Sequence, residues 1–97
     1  MNPATIYHRP LSEFAFATDA THYVFRLRTG KGEARSCRFF YADRAVMTPE
    51  LDFACLPMKK IREDRYFDWY EVRLETKLER IAYYFELSDG AETLCYF

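Results

Sequence analysis

Nucleophilic catalysis needs a serine or cysteine backed by a histidine and an orienting acid. The chain has two histidines, His8 and His22, and no Gly-x-Ser-x-Gly elbow or other nucleophile motif near either. A zinc site would gather Cys and His at ligand spacing. Cys37, Cys55 and Cys95 are dispersed, none in a Cys-x-x-Cys pair, and read as reduced thiols of a cytoplasmic protein. Paired carboxylates would suit glycoside hydrolysis. Asp68 and Glu71, however, are separated so that a strand turns them to opposite faces. Asp68 is read as a structural acid that takes hydrogen bonds from backbone amides or an arginine. The glycines of "TGKGE" precede a strand pattern and lack the helix N-terminus that makes such loops hold phosphate.

Aromatic surface remains. In "RYFDWYEVRL" four rings, Tyr66, Phe67, Trp69 and Tyr70, crowd into five consecutive positions. With period-two alternation Tyr66, Tyr70, Val72 and Leu74 form one apolar face, while Phe67 and Trp69 share the other with Glu71 and Arg73. The charges mark that second face as outward, so Phe67 and Trp69 should touch something outside the core. Flat rings with polar neighbours suit the apolar faces of sugars and suit protein interfaces equally well.

Strands must position these rings. "HYVFRLR" sets Tyr23, Phe25 and Leu27 against His22, Val24, Arg26 and Arg28; "ARSCRFFYA" sets Cys37, Phe39 and Tyr41 against Ser36, Arg38 and Phe40; "ERIAYYFEL" sets Ile81, Tyr83, Phe85 and Leu87 against Arg80, Ala82, Tyr84 and Glu86. Shorter strands are predicted at Thr5–His8, at Glu13–Ala17 with Phe14 and Phe16 on one face, and at Leu51–Met58, where Pro57 suits an edge or bulge. "TGKGE" offers two glycines for positive φ, and Asp89-Gly90 is a hairpin signal. Seven or eight short strands with regular turns predict an all-β, immunoglobulin-like antiparallel sandwich filling a single domain over residues 1–97.

The formal net charge of −1, from 14 basic and 15 acidic residues, argues against nucleic acid, including at "FFYADR", and against anionic membranes. No stretch has the length of a membrane span. The final "AETLCYF" is a strand-like run without a polar tail, from which a continuation beyond Phe97 is expected.

The ordered segments "IYHRP", "RLRTGKG", "YADR", "PMKK", "FDWY", "IAYYFEL" and "DGAE" closely resemble the N-terminal domain of neopullulanases, cyclomaltodextrinases and maltogenic amylases of the α-amylase family, across essentially the whole chain. That resemblance implies a starch-type carbohydrate-binding module ahead of a catalytic (β/α)₈ barrel absent from this chain. The chain alone is then not an enzyme, and the parent is a glycosidase whose catalytic acids lie in the barrel. It also implies a homodimer in the parent, with this domain narrowing the partner's cleft toward cyclodextrins and short α-glucans. Matched to the family pattern, Trp69, Phe67, Tyr41 and Arg44 are candidates for carbohydrate or interface contact, and Asp43, Asp68 and Gly90 are structural. Ala45 stands where relatives commonly carry an aromatic residue. No cofactor is expected; calcium is known in some relatives, but no dense Asp/Asn cluster supports it here. The alternative is a purely structural interaction domain without sugar affinity.

Overall fold

Where polar and apolar residues alternate, the backbone is extended and paired. The computed structural model describes residues 3–8, 14–43, 53–77 and 81–96. Among these are eight strands: β1 (Ala15–Ala17), β2 (His22–Gly30), β3 (Ser36–Asp43), β4 (Ala54–Pro57), β5 (Lys59–Glu63), β6 (Phe67–Glu75), β7 (Ile81–Ser88) and β8 (Thr93–Tyr96). They form two four-stranded antiparallel sheets, β1-β2-β6-β5 and β4-β3-β7-β8, stacked as the predicted sandwich.

The inward faces follow the alternation. Phe25, Leu27, Tyr70, Val72 and Leu74 of the first sheet meet Cys37, Phe39, Phe85 and Leu87 of the second, all buried. The Phe25 and Phe39 rings stack across the gap at 4.6 Å between centroids, and Leu27, Phe39 and Leu87 have no exposed surface. Burial on this scale contributes roughly 1.5–3 kcal/mol per large side chain.

Several expectations are narrowed or revised. Of Glu13–Ala17, Glu13 lies outside the described residues and the strand covers Ala15–Ala17, with Phe14 just before it. Thr5–His8 is not a strand: Pro3–Thr5 is a 3-10 turn, and only Tyr7 then pairs with Arg28, through reciprocal backbone bonds of 2.8 and 2.9 Å. The Thr5 hydroxyl is committed elsewhere, accepting the Gly30 N–H at 3.0 Å. The Leu51–Met58 segment, of which 51–52 lie outside the described residues, holds the edge strand β4, ending at Pro57 as an edge allows. Met58 then donates its N–H to Cys37 O at 2.9 Å, and the chain crosses to the other sheet as β5. In "TGKGE" Gly32 has positive φ (72°), as Gly90 does at the last hairpin (94°), but Gly30 ends β2 in ordinary backbone. A Cβ on Gly30 would lie 2.8 Å from Thr5 Oγ1, so close approach is what glycine provides there. Tyr66, finally, precedes β6 in a turn and is 65% exposed, so it does not continue the apolar face of Tyr70, Val72 and Leu74.

Candidate carbohydrate or protein contact face

The outward face of the first sheet is built around β6. Trp69 lies opposite Arg28 of β2 on one side and Arg62 of β5 on the other. The β5–β6 register shifts between Lys60 and Arg62. That bulge brings Ile61 and Arg62 together beside Trp69, where they line a groove of about 360 Å³ with Phe14, Arg26 and the indole.

Each ring on this face has a partner within the chain. Phe14 stacks on Trp69 at 5.5 Å and 23°. The Arg62 guanidinium lies 4.5 Å from the indole centre. Arg28 sits 4.1 Å from the Phe67 ring and 4.9 Å from that of Tyr7, an arrangement in which the ring quadrupoles attract the cation. Phe67 and Trp69 are both half-buried. They are outward, as the alternation predicts, yet supported by neighbours from strands distant in sequence.

Asp64 organises the entrance to β6. Its Oδ1 accepts the N–H groups of Tyr66 (2.9 Å) and Phe67 (2.8 Å), and its Oδ2 takes Trp69 Nε1 at 3.3 Å and Arg62 at 3.4 Å. The Tyr66 and Phe67 amides, assisted by the Trp69 and Arg62 side chains, hold its carboxyl at about 2. Further along, Arg26 bonds Glu71 at 2.9 Å and Arg73 bonds it at 3.1 Å. Burial alone would raise the Glu71 carboxyl, but these two arginines outweigh it and hold it below its ordinary value.

Asp68 points the other way, into the core, and is 1% exposed. Its Oδ2 accepts the Gly32 N–H at 2.9 Å and lies 3.6 Å from Lys60 Nζ; the cation beside it is a lysine, where an arginine was one expectation. Glu71 faces outward, so the two acids do stand on opposite faces. Among the described residues no three His, Cys, Asp or Glu side chains gather where they could hold a metal ion, and no helix is long and apolar enough to cross a membrane.

A model of the family described as "Alpha amylase, N-terminal ig-like domain" matches residues 1–97. The chain belongs to that family. This alpha-amylase N-terminal domain is 33% identical over 92 residues to Neopullulanase 2 of Thermoactinomyces vulgaris, covering 95% of the chain and 16% of that protein. It is 28% identical over 95 residues to the intracellular maltogenic amylase of Bacillus subtilis (strain 168), again 16% of its length. A solved structure of a cyclomaltodextrinase superposes with a TM-score of 0.85 at 27% identity, covering 99% of this chain and 16% of that one. The domain thus spans about one-sixth of the relatives it matches, and the resemblance drawn from the sequence segments holds.

Within the alpha-amylase N-terminal domain the sequence candidates do not converge. Trp69 and Phe67 share the outward face of the first sheet. Tyr41 belongs to the second sheet, half-buried against the core and stacked on Phe39 at 5.8 Å. Asp43 ends β3, Gly90 makes the last hairpin turn, and Arg44 and Ala45 lie outside the described residues. None of Phe14, Ile61, Arg62 and Asp64 is a site candidate from the sequence: strand pairing brings the first three to Trp69, and Asp64 reaches it through the turn that precedes β6. A second aromatic group also emerges on the outward face of the second sheet. Phe40 and Tyr84 stack in parallel at 4.8 Å, and Phe53, 39% exposed, meets Tyr84 edge-on at 5.1 Å. The alternation of β3 and β7 places both central rings outward, which could have signalled this patch.

Proposed function

We propose that this chain is the non-catalytic N-terminal domain of a cytoplasmic α-glucan-degrading glycoside hydrolase of the neopullulanase and cyclomaltodextrinase type, a single domain over residues 1–97 preceding a (β/α)₈ catalytic barrel. It contributes α-glucan contact, shaping of the active-site cleft and homodimer formation, and needs no cofactor. The observation that carries the glucan part is the Trp69 groove: an aromatic ring braced on a rigid sheet, beside the guanidinium groups of Arg26 and Arg62, in a concavity of sugar-unit scale. Phe67 extends the same face, Tyr41 lies apart from it on the second sheet, and Arg44 is a candidate contact on its sequence motif alone.

The decisive measurement is a fluorescence titration of the chain with β-cyclodextrin and maltoheptaose, with Trp69 as the sole indole. A saturable change that disappears in Trp69→Phe is the expected result. No change up to millimolar sugar, with the chain folded, would remove glucan binding from the proposal.

A second reading, a structural interaction domain without sugar affinity, is favoured by the Phe40–Tyr84–Phe53 patch, which lies on the opposite outer surface. On that reading Tyr84→Ser weakens dimerisation of the full-length parent in sedimentation, and Trp69→Ala does not.

A further inference from the structure

The indole of Trp69 is flanked on both sides, by neighbours held very differently. Phe14, one residue before β1 and bonded through its carbonyl to Arg26 of β2, and Arg62 of β5 lie on opposite sides of β6. On the β1 side, Phe14 is 5% exposed, packs edge-on against Tyr7 at 4.9 Å, and is fixed through its carbonyl, which accepts the Arg26 N–H at 2.7 Å. That side of the ring is closed. On the β5 side, the Arg62 side chain is 62% exposed. Its ion pair with Asp64 is 3.4 Å long, beyond the range of a strong charge-assisted bond. Its contact with the ring at an exposed position is weak.

A sugar stacks by laying the C–H groups of one face on an aromatic plane, so it needs a plane that can be vacated. The Phe14 side cannot open without disturbing the β1–β2 edge. The Arg62 side is covered by an exposed side chain that contacts Asp64 at 3.4 Å and the ring at 4.5 Å. Resting on the glucan reading above, we infer that Arg62 is a displaceable cover on the β5-side face of Trp69, and so a determinant of how tightly the groove holds sugar. Asp64 sets the resting state, because one carboxylate oxygen contacts both the indole N–H and the guanidinium. Any ligand must exceed the stacking that the arginine already provides.

The test compares the chain with Arg62→Ala and with Arg62→Gln, which keeps a long polar side chain without the charge and serves if the alanine variant folds poorly. Without ligand, the variants should show greater quenching of Trp69 fluorescence by acrylamide. With β-cyclodextrin, affinity should rise about two- to five-fold, the ratio that corresponds to removing one exposed cation–π contact. Wild-type binding that is unchanged or weakened in both variants overturns the inference and leaves the glucan reading standing, as does unchanged quenching. Binding by neither wild type nor variants overturns the glucan reading and this inference with it.

Discussion

His8 ties the two sheets together through Tyr83. Its Nε2 lies 2.7 Å from the Tyr83 hydroxyl on β7, and its Nδ1 lies 2.7 Å from the carbonyl oxygen of Arg26 on β2. With Nδ1–H donating to the carbonyl, Nε2 accepts the phenol proton, so this bridge is complete with a neutral ring. Burial favours that state and holds the His8 pKa below the ordinary 6.5, although the Arg26 carbonyl pulls the other way.

The sign of the resulting pH dependence is fixed. Folded His8 binds its proton less readily than unfolded His8, so its contribution is fully present above 6.5 and is lost as pH falls through the lower folded value. His22, raised by its hydrogen bond to Asp19, acts in the opposite sense. Urea denaturation of wild type and His8→Gln between about pH 7.5 and about pH 5 separates them. The decline toward acid should flatten in the variant; an identical slope would place the sensitivity elsewhere.

Thiol reactivity should divide two to one. Cys37 is 2% exposed, and burial, with Asp68 adding to it, pushes its thiol up to about 12. Cys55 and Cys95 are exposed. A chromogenic disulfide reagent should titrate two thiols quickly in the native chain and the third only after unfolding. Three fast thiols would mean that the core around Cys37 opens freely.

Leu27→Ala should cost about 2–5 kcal/mol, because the removed methyls leave a cavity that the two sheets cannot close. Tyr66→Ala, at a turn position with most of its surface in water, should stay within about 0.5 kcal/mol of wild type. Urea midpoints for the pair check the assignment of inward and outward positions.

The Asp64 turn should report acid titration through the indole. Its folded carboxyl, near 2, lies below the ordinary 3.8, so the stability it gives is present above 3.8 and is lost as pH falls through about 2. Trp69 emission should shift over that window in wild type and not in Asp64→Asn, whose amide oxygen can still cap the Tyr66 and Phe67 amides. A shift of equal size in both would tie it to another group.

Much of this was legible in the residues, and what was not has a common cause. The faces of β2, β3 and β7, the outward placement of Phe67 and Trp69, and the burial of Asp68 all follow from period-two alternation, which depends on neighbours in the chain. β5 escaped because "KKIRE" is exposed throughout and has no apolar rhythm to read; only its pairing with β6 makes it a strand. The sheet exchange at Met58 and the arrival of Phe14 and Arg62 at Trp69 depend on which strands pair and in what register. Alternation within one strand does not encode that. The docking of Thr5 against the end of β2 likewise depends on Gly30, far along the chain, leaving room for its hydroxyl.

The two central ladders join segments remote in sequence: His22 of β2 meets Glu75 of β6, and Ser36 of β3 meets Ser88 of β7. Neither half of the chain is therefore a folding unit. On the ribosome, β2 and β3 must wait unpaired at their inner edges until β6 and β7 emerge. Closure of such long loops places folding in the slow class of small domains, on the order of milliseconds to seconds. During that wait the exposed strand edges are vulnerable to pairing with the wrong chain. A truncation before Phe67 would remove β6 and β7 together and leave both sheets without a centre.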